Sequence, residues 1–289
     1  MKVGFFGAGL MGKPMIEKLI ENGFDVNVFN RTIEKTVSLS EKGAKIFQTS
    51  KELIAASEVV LFMLADYKAV QDVFQNLSDE VLVGKQFIQM GTLSPSENIE
   101  LKNFFENKNS KYFEAPVLGS IPQIKEKKLI TFIGAEAEQY QMYKKIFESF
   151  SNKIIYVGEV GKASALKLAL NQLIVSELAI FSMSLKYIIN KGIDVELFMD
   201  VLRNSALYAP TFDKKLDNFL SGNFAKPNFP LKHMLKDLKL IINEFDKSQL
   251  NTKVLVSEES LLEYGIQNGF ADEDYSAIYK CIDKLKSDD

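Results

Sequence analysis

Lys167 and Asn171 stand four residues apart among Leu166, Leu168, Leu170, Leu173 and Ile174. That spacing puts both side chains on one face of a helix. An ammonium in such apolar company is costly to bury unless something uses it. One use is chemical: a lysine so placed can donate a proton to a carbonyl oxygen as the carbon is reduced, while Asn171 holds either the lysine or the substrate oxygen. On spacing alone the alternative is a lysine at the start of a helix, its stem along the apolar surface and its head in water. A second constellation, Gly7-x-Gly9-x-x-Gly12, lies between an apolar run at residues 3–6 and a helical pattern (Met15, Ile16, Leu19, Ile20). In a strand, turn and helix of this kind, Gly7 makes the turn, Gly9 admits a pyrophosphate to the backbone and Gly12 lets helix and strand pack closely. Residues Gly7, Ala8, Gly9, Leu10, Met11 and Gly12 would then offer N–H groups to the phosphates at the positive end of the helix. Dinucleotide binding is the expectation.

The next strand pattern, residues 24–29, ends at Asn30-Arg31-Thr32, about where NAD enzymes carry an acid for the ribose 2′-OH. No acid stands there. An amide, a guanidinium and a hydroxyl suit a 2′-phosphate, whose geometry the fixed fork of Arg matches, so NADP(H) is the expected cofactor. The alternative for Arg31 is a solvated loop residue. Ligands of open α/β sheets collect at the carboxyl ends of strands. Met63 and Leu64 fall at one such end, and Gly91-Thr92-Leu93-Ser94-Pro95-Ser96 follows another. Thr92 offers its hydroxyl to the nicotinamide ribose or the substrate, whereas Ser94 or Ser96 can simply cap the helix that begins near Pro95. Within Glu114-Ala115-Pro116-Val117-Leu118-Gly119-Ser120, the N–H groups of Gly119 and Ser120 can receive a carboxylate or form an ordinary turn. The cluster Lys125-Glu126-Lys127-Lys128 reads as a solvated turn near enough to draw an anionic substrate.

Placing these groups requires alternating elements. Strand patterns occur at 3–6, 26–29, 44–47, 59–63, 86–90, 112–115, 129–133 and 154–157, with helical patterns between most of them. They predict an α/β fold, an N-terminal Rossmann-type doubly wound sheet with helices on both faces. From Gly161 onward the strand signals cease. Residues 163–190 read as a long interdomain helix, and 194–204, 211–220, 231–246, 252–267 and 272–286 as further helices of an all-helical C-terminal domain. The expected division is 1–160 for NADP binding and 161–289 for substrate and oligomerisation. A chain of 289 residues is long enough for both.

The net charge of −3 gives no basic bias toward nucleic acid or an anionic membrane. One cysteine, Cys281, excludes an intramolecular disulfide and fits a reducing cytoplasm, and no cleavable leader is visible. The apolar stretch 166–189 is broken by Lys167, Asn171, Gln172, Glu177 and Lys186, which suits a buried helix and not a membrane span. His233 is the one histidine, so a multi-histidine metal site is impossible and no metal is expected; a non-catalytic place near Lys236 is its expected role. The tail Ser287-Asp288-Asp289 reads as a frayed end.

Four stretches together carry a resemblance. Gly4-Phe5-Phe6-Gly7-Ala8-Gly9-Leu10-Met11-Gly12-Lys13-Pro14-Met15, Asn30-Arg31-Thr32, Glu114-Ala115-Pro116-Val117-x-Gly119-Ser120 and Gly158-x-x-Gly161-x-x-x-x-x-Lys167-x-x-x-Asn171 resemble the β-hydroxyacid dehydrogenases, the 3-hydroxyisobutyrate dehydrogenase superfamily. Phe229-Pro230-Leu231-Lys232-His233-x-x-Lys236-Asp237-Leu238 is similar to its glyoxylate/succinic semialdehyde reductase branch. The resemblance implies Lys167 as general acid with Asn171 as its partner, Thr92 near the nicotinamide ribose, and Lys236 reaching cofactor or substrate. It places Gly119 and Ser120 on the substrate carboxylate. It also implies a homodimer or homotetramer built through the helical domain, which the apolar 166–189 stretch suits. Two positions depart from the pattern: Leu118 stands where members usually have Ser, and Ala163 where they often have Gly. The first removes a hydroxyl beside the carboxylate site and bears on substrate preference.

The expected function is NADPH-dependent reduction of a small carboxylate-bearing aldehyde or 2-oxo acid, such as succinic semialdehyde or glyoxylate, to the hydroxy acid. Cytoplasmic location, and no nucleic-acid or membrane partner, go with it. One alternative is a 3-hydroxyisobutyrate-type dehydrogenase acting oxidatively, against which the trio at 30–32 counts. An imine reductase shares the architecture but typically lacks a lysine at this position. A non-catalytic NADP-binding interaction module is the alternative from another class, and Lys167 with Asn171 counts against it.

Overall fold

Runs such as Val59-Val60-Leu61-Phe62 show no polar alternation, and in the computed structural model they are strands buried on both faces of a sheet. The structure describes residues 1–75 and 77–283, in two compact units, Met1–Leu168 and Ala169–Asp289. In the first unit β1 (Lys2–Phe6), β2 (Asp25–Phe29), β3 (Lys45–Ile46), β4 (Val59–Phe62), β5 (Gln86–Gln89), β6 (Lys111–Glu114), β7 (Val117–Leu118), β8 (Leu129–Gly134) and β9 (Ser151–Gly158) form one sheet. Its order is β3-β2-β1-β4-β5-β6-β8-β7, with β9 also on β8. The pairings from β3 to β6 are parallel, β8 opposes β6 and β7, and β9 runs parallel to β8.

The chain leaves β1 in opposite directions toward β2 and β4, which makes their junction the switch point of the doubly wound sheet. The glycine turn follows β1 there, and Met63-Leu64 follows β4. Side chains alternate across the pleat. Val3 and Phe5 join Met15, Ile16 and Leu19 of the helix Gly12–Glu21, while Phe6 joins Phe62, Phe74, Phe87 and Phe105 on the other face. Phe87 and Phe105 stack with centroids 4.1 Å apart. Each such ring contributes on the order of 1.5–3 kcal/mol by burial, so both faces hold the strand ends rigid.

The eight strands expected are present, and β7 is the addition. Two residues between Pro116 and Gly119 show no period in the sequence, and only pairing with β8 makes them a strand. The later helices are Lys162–Asn190, Val195–Arg203, Pro210–Ser221, Leu231–Lys247 and Lys253–Gln267. Of the expected helix at 272–286, residues 284–286 lie outside the described residues, and the described part holds a 3₁₀ segment, Tyr275–Cys281, and not an α-helix. Tyr275, Ser276, Ala277 and Ile278 are all buried in sequence, which an amphipathic α-helix does not permit. Asp274 organises this segment, accepting the Ser276 N–H at 3.1 Å and pairing with the buried Lys215 at 2.6 Å. The acidic tail lies outside the described residues.

Lys162–Asn190 is, among the described residues, the one helix long and apolar enough to cross a membrane by length and composition. Leu168, Asn171, Val175, Leu178, Ser182 and Leu185 are buried at helical spacing, as on the inner stripe of a core helix. Phe181 stacks on Phe212 at 4.4 Å. The division between the units falls within this helix, eight residues beyond the break expected at 160/161. Its first turn is tied back to β6 in the first unit.

Candidate functional site

Gly7 turns the chain after β1 with φ +99°, where glycine alone is at ease, and a Cβ on it would overlap the Met63 carbonyl oxygen. A Cβ on Gly12 would overlap the Gly7 carbonyl oxygen, so the helix can begin this close to the strand only with glycine. Gly9 differs, because a Cβ on it would meet nothing within 4 Å. Its backbone borders open space, the room a pyrophosphate needs, and the residues present therefore fit a dinucleotide.

Asn30 Oδ1 accepts the Ala8 N–H at 2.9 Å, and Asn30 Nδ2 donates to the Thr32 carbonyl at 2.6 Å. Both ends of the amide are used in locking the turn after β1 to the turn after β2. The Ala8 N–H is thus satisfied within the protein, and Asn30, expected beside the 2′-phosphate, shapes the loop that carries Arg31 and Thr32. Arg31 and Thr32 are exposed, and Arg31 makes no ion pair among the described residues. Lys13, Lys35 and Lys125 line a groove of about 480 Å³ with Ala8, Gly9 and Leu10. Its one acid, Glu17, is paired with Lys42 at 2.9 Å, so the groove is electropositive. Lys125 was expected to draw anions, whereas Lys13 and Lys35 were missed. Lys35 follows Arg31 by four residues, and that spacing was the available signal.

Met63 donates its N–H to the Phe6 carbonyl at 3.0 Å, and a Cβ on Gly91 would lie 2.8 Å from the Leu64 carbonyl oxygen. The ends of β1, β4 and β5 therefore close on one another, with half-buried Thr92 next in sequence. Ser94 is the cap of the helix Pro95–Glu106: its Oγ accepts the Glu97 N–H at 3.2 Å and Glu97 Oε2 accepts the Ser94 N–H at 2.7 Å. Gly119 has φ +126°. The Ser120 N–H and hydroxyl both donate to Gln123 Oε1, at 3.0 and 2.9 Å. The expected carboxylate cradle is thus already engaged by an amide oxygen of its own helix.

Lys167 is 8% exposed and Asn171 3%, one turn apart on the long helix. Asn171 Nδ2 donates to Asp237 Oδ2 at 2.8 Å, and Asp237 Oδ1 lies 2.6 Å from Lys236 Nζ. Lys236 was expected at the site, whereas Asp237, 1% exposed, was given no role. Its signal lay in the pattern: Leu231, Met234, Leu238 and Ile241 form the buried stripe of the helix Leu231–Lys247, and Asp237 falls within it. No group of metal-binding side chains occurs among the described residues.

His233 lies one turn before Asp237, its ring parallel to Phe229 at 6.4 Å. Burial, then the Lys236 and Lys232 ammoniums, hold its imidazole below the usual range. A depressed folded value means that protonation opposes folding, so stability present above the ordinary imidazole value is lost as pH falls through the folded one. His233→Gln should therefore lose less melting temperature than the native chain between about pH 7 and about pH 5. Thermal denaturation at the two pH values reads this, and an equal or larger loss in the variant would contradict it.

Residues 2–158 match the family described as the NAD binding domain of 6-phosphogluconate dehydrogenase. Residues 161–282 match the NAD-binding region of NADP-dependent 3-hydroxyisobutyrate dehydrogenase. Glyoxylate/succinic semialdehyde reductase 1 of Arabidopsis thaliana is 28% identical over 285 residues, 98% of each chain. Cytokine-like nuclear factor N-PAC of Homo sapiens is also 28% identical, over 96% of this chain and 51% of its own length. Among solved structures, Mycobacterium tuberculosis 3-hydroxyisobutyrate dehydrogenase shares the fold with a TM-score of 0.85 at 20% identity, over 96% of this chain and 98% of that one.

Proposed function

Within the β-hydroxyacid dehydrogenase superfamily, to which this chain belongs, we propose that it uses NADPH to reduce a small aldehyde or 2-oxo acid bearing a carboxylate, of the class of succinic semialdehyde and glyoxylate. It is an NAD(P)-dependent oxidoreductase. The observation that carries the finer reading is the buried pair Lys167 and Asn171, with Asp237 behind the amide. Asp237 takes an Asn171 N–H, which turns the amide so that its Oδ1 remains as an acceptor. An acceptor one turn from an ammonium suits a lysine that gives its proton to a carbonyl oxygen, and suits the hydroxyl that results. When bound, NADPH supplies the hydride that reduces the carbonyl carbon. The N–H groups at Gly9, Leu10 and Met11 would hold its pyrophosphate, Arg31, Thr32 and Lys35 its 2′-phosphate, and Met63, Leu64 and Thr92 would border its nicotinamide ribose. Gly119 and Ser120 would take the substrate carboxylate, one of whose oxygens replaces Gln123 Oε1 as acceptor. Leu118 leaves this end of the substrate without the hydroxyl that Ser would add. The exposed stripe Leu173, Ile180, Met183 and Tyr187 suits contact with a second copy, in a homodimer or homotetramer.

A spectrophotometric panel tests the reading. Succinic semialdehyde should exceed butyraldehyde in kcat/KM by about tenfold, because a charged carboxylate makes stronger hydrogen bonds to the Gly119 and Ser120 N–H groups than the neutral Gln123 amide oxygen it displaces, by on the order of 1 kcal/mol or more. Comparable values for the two aldehydes would contradict carboxylate recognition. A second reading, cofactor binding without turnover, would register in the same panel as no consumption of NADPH with any carbonyl.

A further inference from the structure

Glu114 closes β6, is fully buried and takes no part in the steps above. Its Oε1 accepts the N–H groups of Gly161, Ala163 and Ser164 at 2.8, 3.0 and 3.1 Å. These donors open the helix Lys162–Asn190, where no carbonyl of the helix itself can satisfy them. A carboxylate 47 residues earlier in sequence therefore caps it. The surroundings are cut to this arrangement. Gly134 of β8, paired opposite Glu114, lacks the Cβ that would overlap Oε1, and Gly161 has φ +100°. Oε2 is buried without a hydrogen-bond partner, and burial pushes the carboxyl up against the pull of the three N–H groups. An acid with one oxygen idle is a costly filler of apolar space, so its value lies in what the other oxygen holds.

We infer that Glu114 is the positioning residue for Lys167. Ser164 and Ala163 precede the lysine by three and four residues, so the capped turn is the turn that carries the ammonium. A helix advances about 1.5 Å and rotates about 100° per residue, so a start slipped by one residue would swing Lys167 off the face it shares with the rest of the site. The inference rests on the reading of Lys167 as proton donor.

Glu114→Met fills the volume without an acceptor, and Glu114→Gln keeps an oxygen for the same three N–H groups. In the Met variant, amide hydrogen exchange over residues 161–168 should accelerate by about tenfold or more, with the peptides of β1 to β5 unchanged. Its kcat should fall by about tenfold or more at unchanged NADPH affinity, and Glu114→Gln should restore both readouts to within about threefold. Should the Met variant fail to fold, Glu114→Ala takes its place with the same expectations. Native exchange and native kcat in the variant without an acceptor would overturn the inference, as would a Gln variant equally impaired in both. If the unaltered protein reduces no carbonyl, the functional reading fails, and the exchange comparison still decides whether Glu114 holds this turn.

Discussion

Lys167→Ala should lower kcat roughly 10²–10⁴-fold and leave NADPH affinity nearly unchanged, the loss typical of a missing general acid. The two effects separate because different residues carry them. In this reading the phosphates of the cofactor fall to the glycine turn and to Arg31, Thr32 and Lys35, whereas Lys167 stands at 8% exposure on the helix Lys162–Asn190. Lys167→Arg should not rescue the rate, since a guanidinium is a poor proton donor at neutral pH and its planar fork does not fit the place of an ammonium. Lys167→Met, which fills the volume, distinguishes a lost proton from a lost contact: it should be as slow as the alanine variant while melting closer to the native chain. Steady-state kinetics and a fluorescence titration with NADPH measure the split between kcat and binding. A Lys167→Ala enzyme that keeps more than about a third of the native kcat would refute proton donation and favour cofactor binding without catalysis.

The glycine turn was legible because what each glycine does is local. Gly7 needs its positive φ, Gly12 its contact with the Gly7 carbonyl, and both follow from a strand running into a helix within a few residues. The long helix and most strands were legible for the same reason, since their periods lie within one element. Glu114 was not, because the turn it caps lies 47 residues away, and Asp237 was legible only as an acid on the apolar stripe of its helix, its partner Asn171 lying 66 residues away. The bond from the Ala8 N–H to Asn30 was not legible, because an amide serves a phosphate or a backbone equally well and the two residues lie 22 apart in sequence. Ser120 was legible and passed over. Ser120-Ile121-Pro122-Gln123 has the spacing of a capping box, and the structure forms the reciprocal bonds that spacing allows. A ligand cradle there must compete with that cap, which makes carboxylate recognition at Gly119–Ser120 conditional on Gln123 moving.

Arg31→Ala should remove most of the preference for NADPH over NADH, a preference on the order of 1.5–3 kcal/mol in the native chain, or roughly tenfold to a hundredfold in Kd. The structure sharpens how this loss should divide. Asn30 holds the loop through Ala8 and Thr32 without using Arg31, so the loop should keep its shape in the variant and NADH should bind as before. The Kd for NADPH alone should rise. Some preference should survive, because Lys35 and Lys13 line the adjoining groove, and Lys35→Ala should take a smaller share as a flexible point charge. Arg31 is exposed, so its contribution should also shrink as salt rises, whereas the contact of the pyrophosphate with backbone N–H groups should respond less. Calorimetric titration of both cofactors into native and Arg31→Ala protein, at low and high salt, measures each of these shifts. Equal affinity of the native chain for NADPH and NADH would sink the assignment of Arg31 to the 2′-phosphate and return it to the solvated loop.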